Sequence, residues 1–201
     1  MSIKKVLDVV DKSINGYMDK VPSIQQQIYK EILTLTKELK LDNRGNIKNT
    51  IDNYRILSNL RSRLEKVIFT KDYQKATQDL VNSYDEINST IKGYMASFAT
   101  SPSSTTEEVL KIIRKQTIER TLLYLGESGI NVNVIGKVQE ILQSNITTGG
   151  SYATYVNQLK DFVIGSKENL GSFEKYANTI VVDGINTYSR TYTNAIVEDL
   201  G

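Results

Sequence analysis

The sequence predicts an all-α protein built as two packed sets of long antiparallel helices joined by a short polar linker. Three observations carry that expectation. Apolar residues recur at spacings of three and four along most of the 201 residues. Only two prolines interrupt the chain, and proline is what a helix interior tolerates least. The one strand-like alternation, Ile130, Val132 and Val134, is short and runs into "VIGKVQEIL", which reads as helix from about Asn133. Helix should therefore cover more than roughly two-thirds of the residues, with no sheet larger than a hairpin near Ile130 to Val134.

The elements follow in order. Ile3, Val6, Leu7, Val10, Ile14, Tyr17, Met18 and Val21 form a first stripe. Pro22 and Ser23 restart the chain, and Gln26 three residues after Ser23 completes a capping-box pattern. Ile24, Ile28, Ile32, Leu35 and Leu39 continue at helical period, and Asp42 to Gly45 reads as a turn. The third stripe is Ile47, Ile51, Tyr54, Leu57, Leu60, Leu64, Val67 and Ile68, a rod of about 33 Å. Thr70 caps the fourth, whose stripe is Tyr73, Ala76, Leu80, Tyr84, Ile87, Ile91, Met95 and Phe98. These two rods should form a long antiparallel hairpin or, since Phe69-Thr70-Lys71 holds neither Gly nor Pro, fuse into one helix.

"ATSPSST", residues 99–105, is the clearest break: small, polar and carrying Pro102. It divides the chain into an N-terminal long-helix bundle, 1–98, and a C-terminal helical region, 106–201, and should be mobile or bent. Thr105 with Glu108 makes a second capping box, opening a fifth helix that runs to about Leu125 before "GESG". A short helix spans Tyr152 to Ile164, and Gly165 to Gly171 is the last loop. The closing helix shows Phe173, Tyr176, Ile180, Ile185, Tyr188, Tyr192, Ala195 and Ile196. No long repeat and no sustained heptad appears, so packed helices are expected in place of a parallel coiled coil.

The composition excludes chemistry. With no His and no Cys, a Ser-His-Asp triad, a Cys nucleophile, a Cys/His zinc site and a disulfide are ruled out. Carboxylates, Lys, Tyr and Ser/Thr remain, and most acid–base catalysis leans on His, so no enzyme and no catalytic residues are expected. "GINVNVIGK" (Gly129 to Lys137) fails as a phosphate loop, because six residues separate its glycines and Val138 stands where Ser or Thr would reach magnesium. Asp85 with Glu86, and Glu198 with Asp199, are adjacent on helices and point about 100° apart. No calcium-loop pattern occurs. Neither a metal nor a cofactor is expected.

The net charge is +2. Residues 1–98 carry 16 Lys and Arg against 12 Asp and Glu, whereas 99–201 carry 9 against 11. No basic run exceeds two residues, which favours a solvated helix face over a nucleic-acid surface. No segment approaches the roughly 20 apolar residues of a membrane span, and Asp8 and Asp11 interrupt the apolar start of the chain. A soluble protein is expected. Tyrosine stands out: twelve Tyr against four Phe, with Tyr176, Tyr188 and Tyr192 on the closing helix and Arg190 between the last two. Tyr and Arg are favoured at protein interfaces. These four residues are candidate interface residues, weighed evenly against Tyr at the edge of an internal core.

"GGSYATYVNQLKDFVIG", followed by "GSFEKYANTIVVDGINTYSRTYTNAIVEDLG", resembles the helical region of phage minor head proteins of the Mu-like head-morphogenesis family. Tyr176, Ala177, Thr179, Asp183, Arg190, Tyr192 and Ala195 fill the places of that family's long-helix pattern. Gly45 to Ile68 is similar to the N-terminal helices of such phage proteins. The family's early Arg-Thr-Glu is replaced here by "VVDGI", and its further C-terminal region has no counterpart. The resemblance implies a structural component of a tailed-bacteriophage virion, near the portal vertex or inside the head and made in the bacterial host cytoplasm. It would act through protein–protein contacts in head assembly or genome delivery. The implied partners are the portal, the major capsid protein or neighbouring copies, with contact to packaged DNA and multimeric assembly. A non-viral helical binding or regulatory module is the alternative.

Overall fold

The computed structural model describes residues 2–98, 102–166 and 168–200. The fold is all-α: α1 (Ile3–Met18), α2 (Val21–Thr36), α3 (Ile51–Ile68), α4 (Lys71–Met95), α5 (Ser104–Leu125), α6 (Glu127–Ile130), α7 (Gly136–Thr148), α8 (Tyr152–Val163), α9 (Ser172–Asn178) and α10 (Gly184–Leu200). Two π-helical segments, Asn131–Ile135 and Thr179–Asp183, join α6 to α7 and α9 to α10 without a break. Among the described residues there is no strand, only three isolated bridges. Ile130 to Val134, the one candidate hairpin, is helical. No helix among these residues is long and apolar enough to cross a membrane.

Two compact units emerge, and each draws on both sides of residues 99–105. One comprises Met1–Lys20, Gln74–Gly126 and Ala177–Gly201; the other Val21–Tyr73 and Glu127–Tyr176. They do not coincide with the expected 1–98 and 106–201. The physical reason is pairing across the break: Lys92 Nζ donates to Glu107 Oε2 at 2.6 Å and Arg114 Nη2 donates to Asp85 Oδ2 at 2.7 Å. Rising numbers on α5 meet falling numbers on α4, so these helices run antiparallel. Of the expected linker, 99–101 lies outside the described residues, Ser103 caps α5 and Ser104 begins it. Of the two expectations for α3 and α4, fusion into one helix is not met. The chain breaks at Phe69 and Thr70, Thr70 Oγ1 accepts from the Tyr73 N–H at 3.2 Å, and α4 from Gln74 belongs to a different unit from α3.

In the unit holding α2, α3, α7 and α8, neighbouring helices alternate in direction. Arg63 of α3 pairs with Glu31 of α2 at 2.5 Å. Asn131 donates to Glu65 at 2.8 Å, and Tyr54 shares a 3.2 Å hydroxyl contact with Thr147, setting α7 against α3. Gln25 Nε2 donates to the Val163 carbonyl at 2.8 Å, tying α2 to the end of α8. The core is aliphatic and includes Ile28, Ile32, Leu60, Leu64, Val138, Leu142 and Leu159. Asn53, fully buried, is matched by the α2–α3 loop: it accepts from Lys40 N at 2.8 Å and donates to the carbonyls of Lys40 at 3.0 Å and Lys48 at 2.7 Å. A buried amide satisfied this way stabilises the loop; without its partners it would destabilise it. Gly149, at φ 66°, closes α7 in the left-handed conformation that favours glycine.

Candidate functional site

The other unit packs α1, α4, α5 and α10 into a bundle. Its α5 begins where Ser103 Oγ accepts from the Thr106 N–H at 3.2 Å. The same residue reaches the last turn of α10: Ser103 N and Ser103 Oγ donate to the two carboxylate oxygens of Asp199, each at 2.6 Å. Those bonds, the side-chain one first, hold the Asp199 carboxyl below the usual carboxylate range. An acid at a helix N-terminus also meets the positive end of the macrodipole. This clasp sets α10 antiparallel to α5.

Inside the bundle stands a column of tyrosines. Tyr84 and Tyr188 meet edge-to-face with centroids 4.8 Å apart, and Tyr188 and Tyr192 follow at 5.6 Å. Tyr84 shares a 2.9 Å hydroxyl contact with Thr121, and the Tyr188 hydroxyl donates to Asn88 Oδ1. Burial pushes all three phenols above their ordinary pKa, Tyr192 up to about 12 with the Glu107 carboxylate adding to it. They stay neutral at physiological pH and act as packing groups with one polar tip each.

This corrects the sequence reading of the closing helix. Tyr188 and Tyr192 are each 2% exposed and belong to their own unit's core, so they are not free to dock on another subunit. Tyr176 is half-buried and falls in the other unit. Arg190 is exposed, its Nε reaching only the Asn186 carbonyl at 3.3 Å. The structure does not gather the four into one surface.

The reason is the π segment. Buried positions along this helix are Phe173, Ala177, Val181, Ile185, Tyr188, Tyr192 and Ile196. Three consecutive steps of four would each drift about 40° around a regular α-helix. The wider turn of a π segment, with its i→i+5 bonds, at Thr179–Asp183 absorbs much of that drift and keeps the buried positions from Ala177 to Ile196 on one face.

Large apolar residues are exposed at several places among the described residues, Ile3 and Leu7 of α1 included, and the longest row of them lies on α5. Its inner face is Leu110, Thr121 and Leu125, all buried. Val109, Ile112 and Leu123, with Gln116 among them at spacings of three, four and seven, are 43%, 55% and 55% exposed on the opposite side. A helix apolar on two sides has a second face with no neighbour in the bundle. Sequence reading passed over it, although its signal was present: "VLKII" places apolar residues on both sides within one turn and a half.

Beside this face, α5 and the π segment with α10 enclose a cleft of about 570 Å³. Gln116, Thr117, Arg120 and Tyr124 form one wall, and Thr179, Asp183, Gly184, Thr187 and Thr191 the other. Arg120 lies 5.6 Å from the Tyr124 ring centroid. A Cβ added at Gly184 would meet nothing within 4 Å, so the wall is open there. Among the described residues no group of His, Cys, Asp and Glu is placed to hold a metal ion. No family model, curated protein or solved structure matches the chain.

Proposed function

We propose that this chain is a structural component of a tailed-phage virion, a minor head or portal-associated protein that works by protein–protein contact. Two things support the reading. The resemblance of residues 45–68 and 149–201 to phage head-morphogenesis proteins supplies the setting. The exposed outer face of α5, a row of aliphatic residues on a helix whose other side is already packed, supplies the means and is the observation that carries the proposal. The contact surface is aliphatic and on α5, in place of the aromatic one expected on the closing helix.

Mass spectrometry of purified particles from a phage encoding this chain tests the reading. The chain should be present at a fixed copy number that survives salt washing, and Ile112→Asp should reduce its incorporation while leaving its far-UV circular dichroism unchanged. Absence from the particles, with the chain found free in the lysate, overturns the virion role and favours a helical binding module.

A further inference from the structure

The α5–α10 cleft carries its charges in an arrangement that complements itself, and from this we infer that it is the interface of a two-fold dimer of this chain. The inference rests on reading the outer side of α5 as a contact surface, and it names the occupant.

The geometry begins at the clasp. Ser103 and Asp199 are bonded, so they mark one level on the two antiparallel helices. Arg120 lies seventeen residues along α5 from that level, and Asp183 lies sixteen residues back along the facing helix. At 1.5 Å per residue both sit about 25 Å away, on opposite walls of the same cleft. They are not ion-paired to each other or to any other described residue. An unpaired cation and an unpaired anion stand level, one on each helix.

A two-fold axis running along the cleft turns this into complementarity. Such an axis preserves height and exchanges left for right, so α5 of a second copy lies over α10 of the first. Its Arg120 then stands above Asp183, and Asp183 of the second copy above Arg120, giving two equivalent pairs from one operation. The same rotation covers the α5 rows of Val109, Ile112 and Leu123 in both copies. The wall that receives the incoming helix is built from Gly184, Thr187 and Thr191. Those residues are small, and the space in front of Gly184 is empty, so close approach meets no steric barrier. A single foreign helix would need its own matched acid and base at this height, whereas a second copy supplies both by symmetry.

Sedimentation equilibrium on the full chain tests this. The wild type should dimerise, Arg120→Glu and Asp183→Lys should each weaken the dimer by at least about tenfold by facing like charges, and the double exchange R120E/D183K should restore it. Both residues are exposed, so circular dichroism of all variants should match the wild type. A wild type that remains monomeric, a dimer indifferent to the single changes, or a double exchange that fails to rescue overturns the inference. Particle incorporation is read separately, so a monomer that still enters virions through Ile112 discards the dimer and keeps the virion role.

Discussion

Helices α5 and α10 lie side by side and use their side chains in opposite ways. The closing helix is rich in tyrosine, the residue type most associated with interfaces, yet it turns Tyr188 and Tyr192 into its own bundle. Its neighbour α5 carries ordinary aliphatics and leaves Val109, Ile112 and Leu123 in solvent. Exposure follows from where a position falls on the turn, and the amphipathic character of a side chain does not decide it. The tyrosines are buried because their spacing, corrected by one π segment, keeps them on one face. The aliphatics are exposed because α5 has apolar residues on two faces and its own bundle packs against only the inner one.

Four measurements break or sharpen this contrast. The largest effect belongs to Tyr188→Ala, which empties the centre of the tyrosine column and strands Asn88. Denaturant titration should show a loss of about 3–5 kcal/mol, against a change within about 0.5 kcal/mol for Arg190→Ala two residues away. If the two were equal, the closing helix would not be core. Next, Leu110→Ala on the inner face of α5 should lose about 2–5 kcal/mol, while Ile112→Ala on the outer face stays within about 0.5 kcal/mol. At protein concentrations low enough to keep the chain monomeric, similar losses from both would mean the outer face is covered within the monomer.

A smaller effect is expected at the clasp. Ser103→Ala removes the α5 cap and both side-chain bonds of its hydroxyl, and thermal unfolding should report about 1 kcal/mol. The smallest is a pH dependence. The folded-state pKa of Asp199 is depressed, so its contribution is present above the ordinary carboxylate pKa and fades as pH falls through the lower, folded value. Acid titration of Asp199→Asn should show a shallower stability loss below about pH 4 than the wild type. An identical acid limb would detach the carboxylate from the clasp.

Much of this architecture was legible in spacing alone. Tyr73, Ala76, Leu80, Tyr84, Ile87 and Ile91 were read as one stripe, and all are buried. The stripe was carried too far: Phe98 lies beyond the end of α4 and is 73% exposed, because periodicity does not say where a helix stops. Ile51, read as core, occupies the first turn of α3 and is exposed. Partner choice was illegible. That α3 pairs with α2 and α7, and α4 with α5 and α10, depends on contacts such as Asn131 to Glu65 and Tyr188 to Asn88, which sit 66 and 100 positions apart. The π segments were hidden too, since the i→i+5 turn leaves only an irregular run of fours.

The order in which the two units receive their segments bears on synthesis. Helices α4 and α5 leave the ribosome early, but α10, whose Tyr188 packs on Tyr84, follows only after residues 127–176 of the other unit have been made. At about 5–20 residues per second that interval is several seconds. The unit holding α2, α3, α7 and α8 is complete before α10 emerges and can consolidate first. Throughout the wait, α5 has α4 beside it but not α10, so the Tyr84 ring lacks its Tyr188 cover while the outer face of α5 is also in solvent, and a nascent chain in that state offers holdase chaperones more apolar surface than the folded bundle keeps.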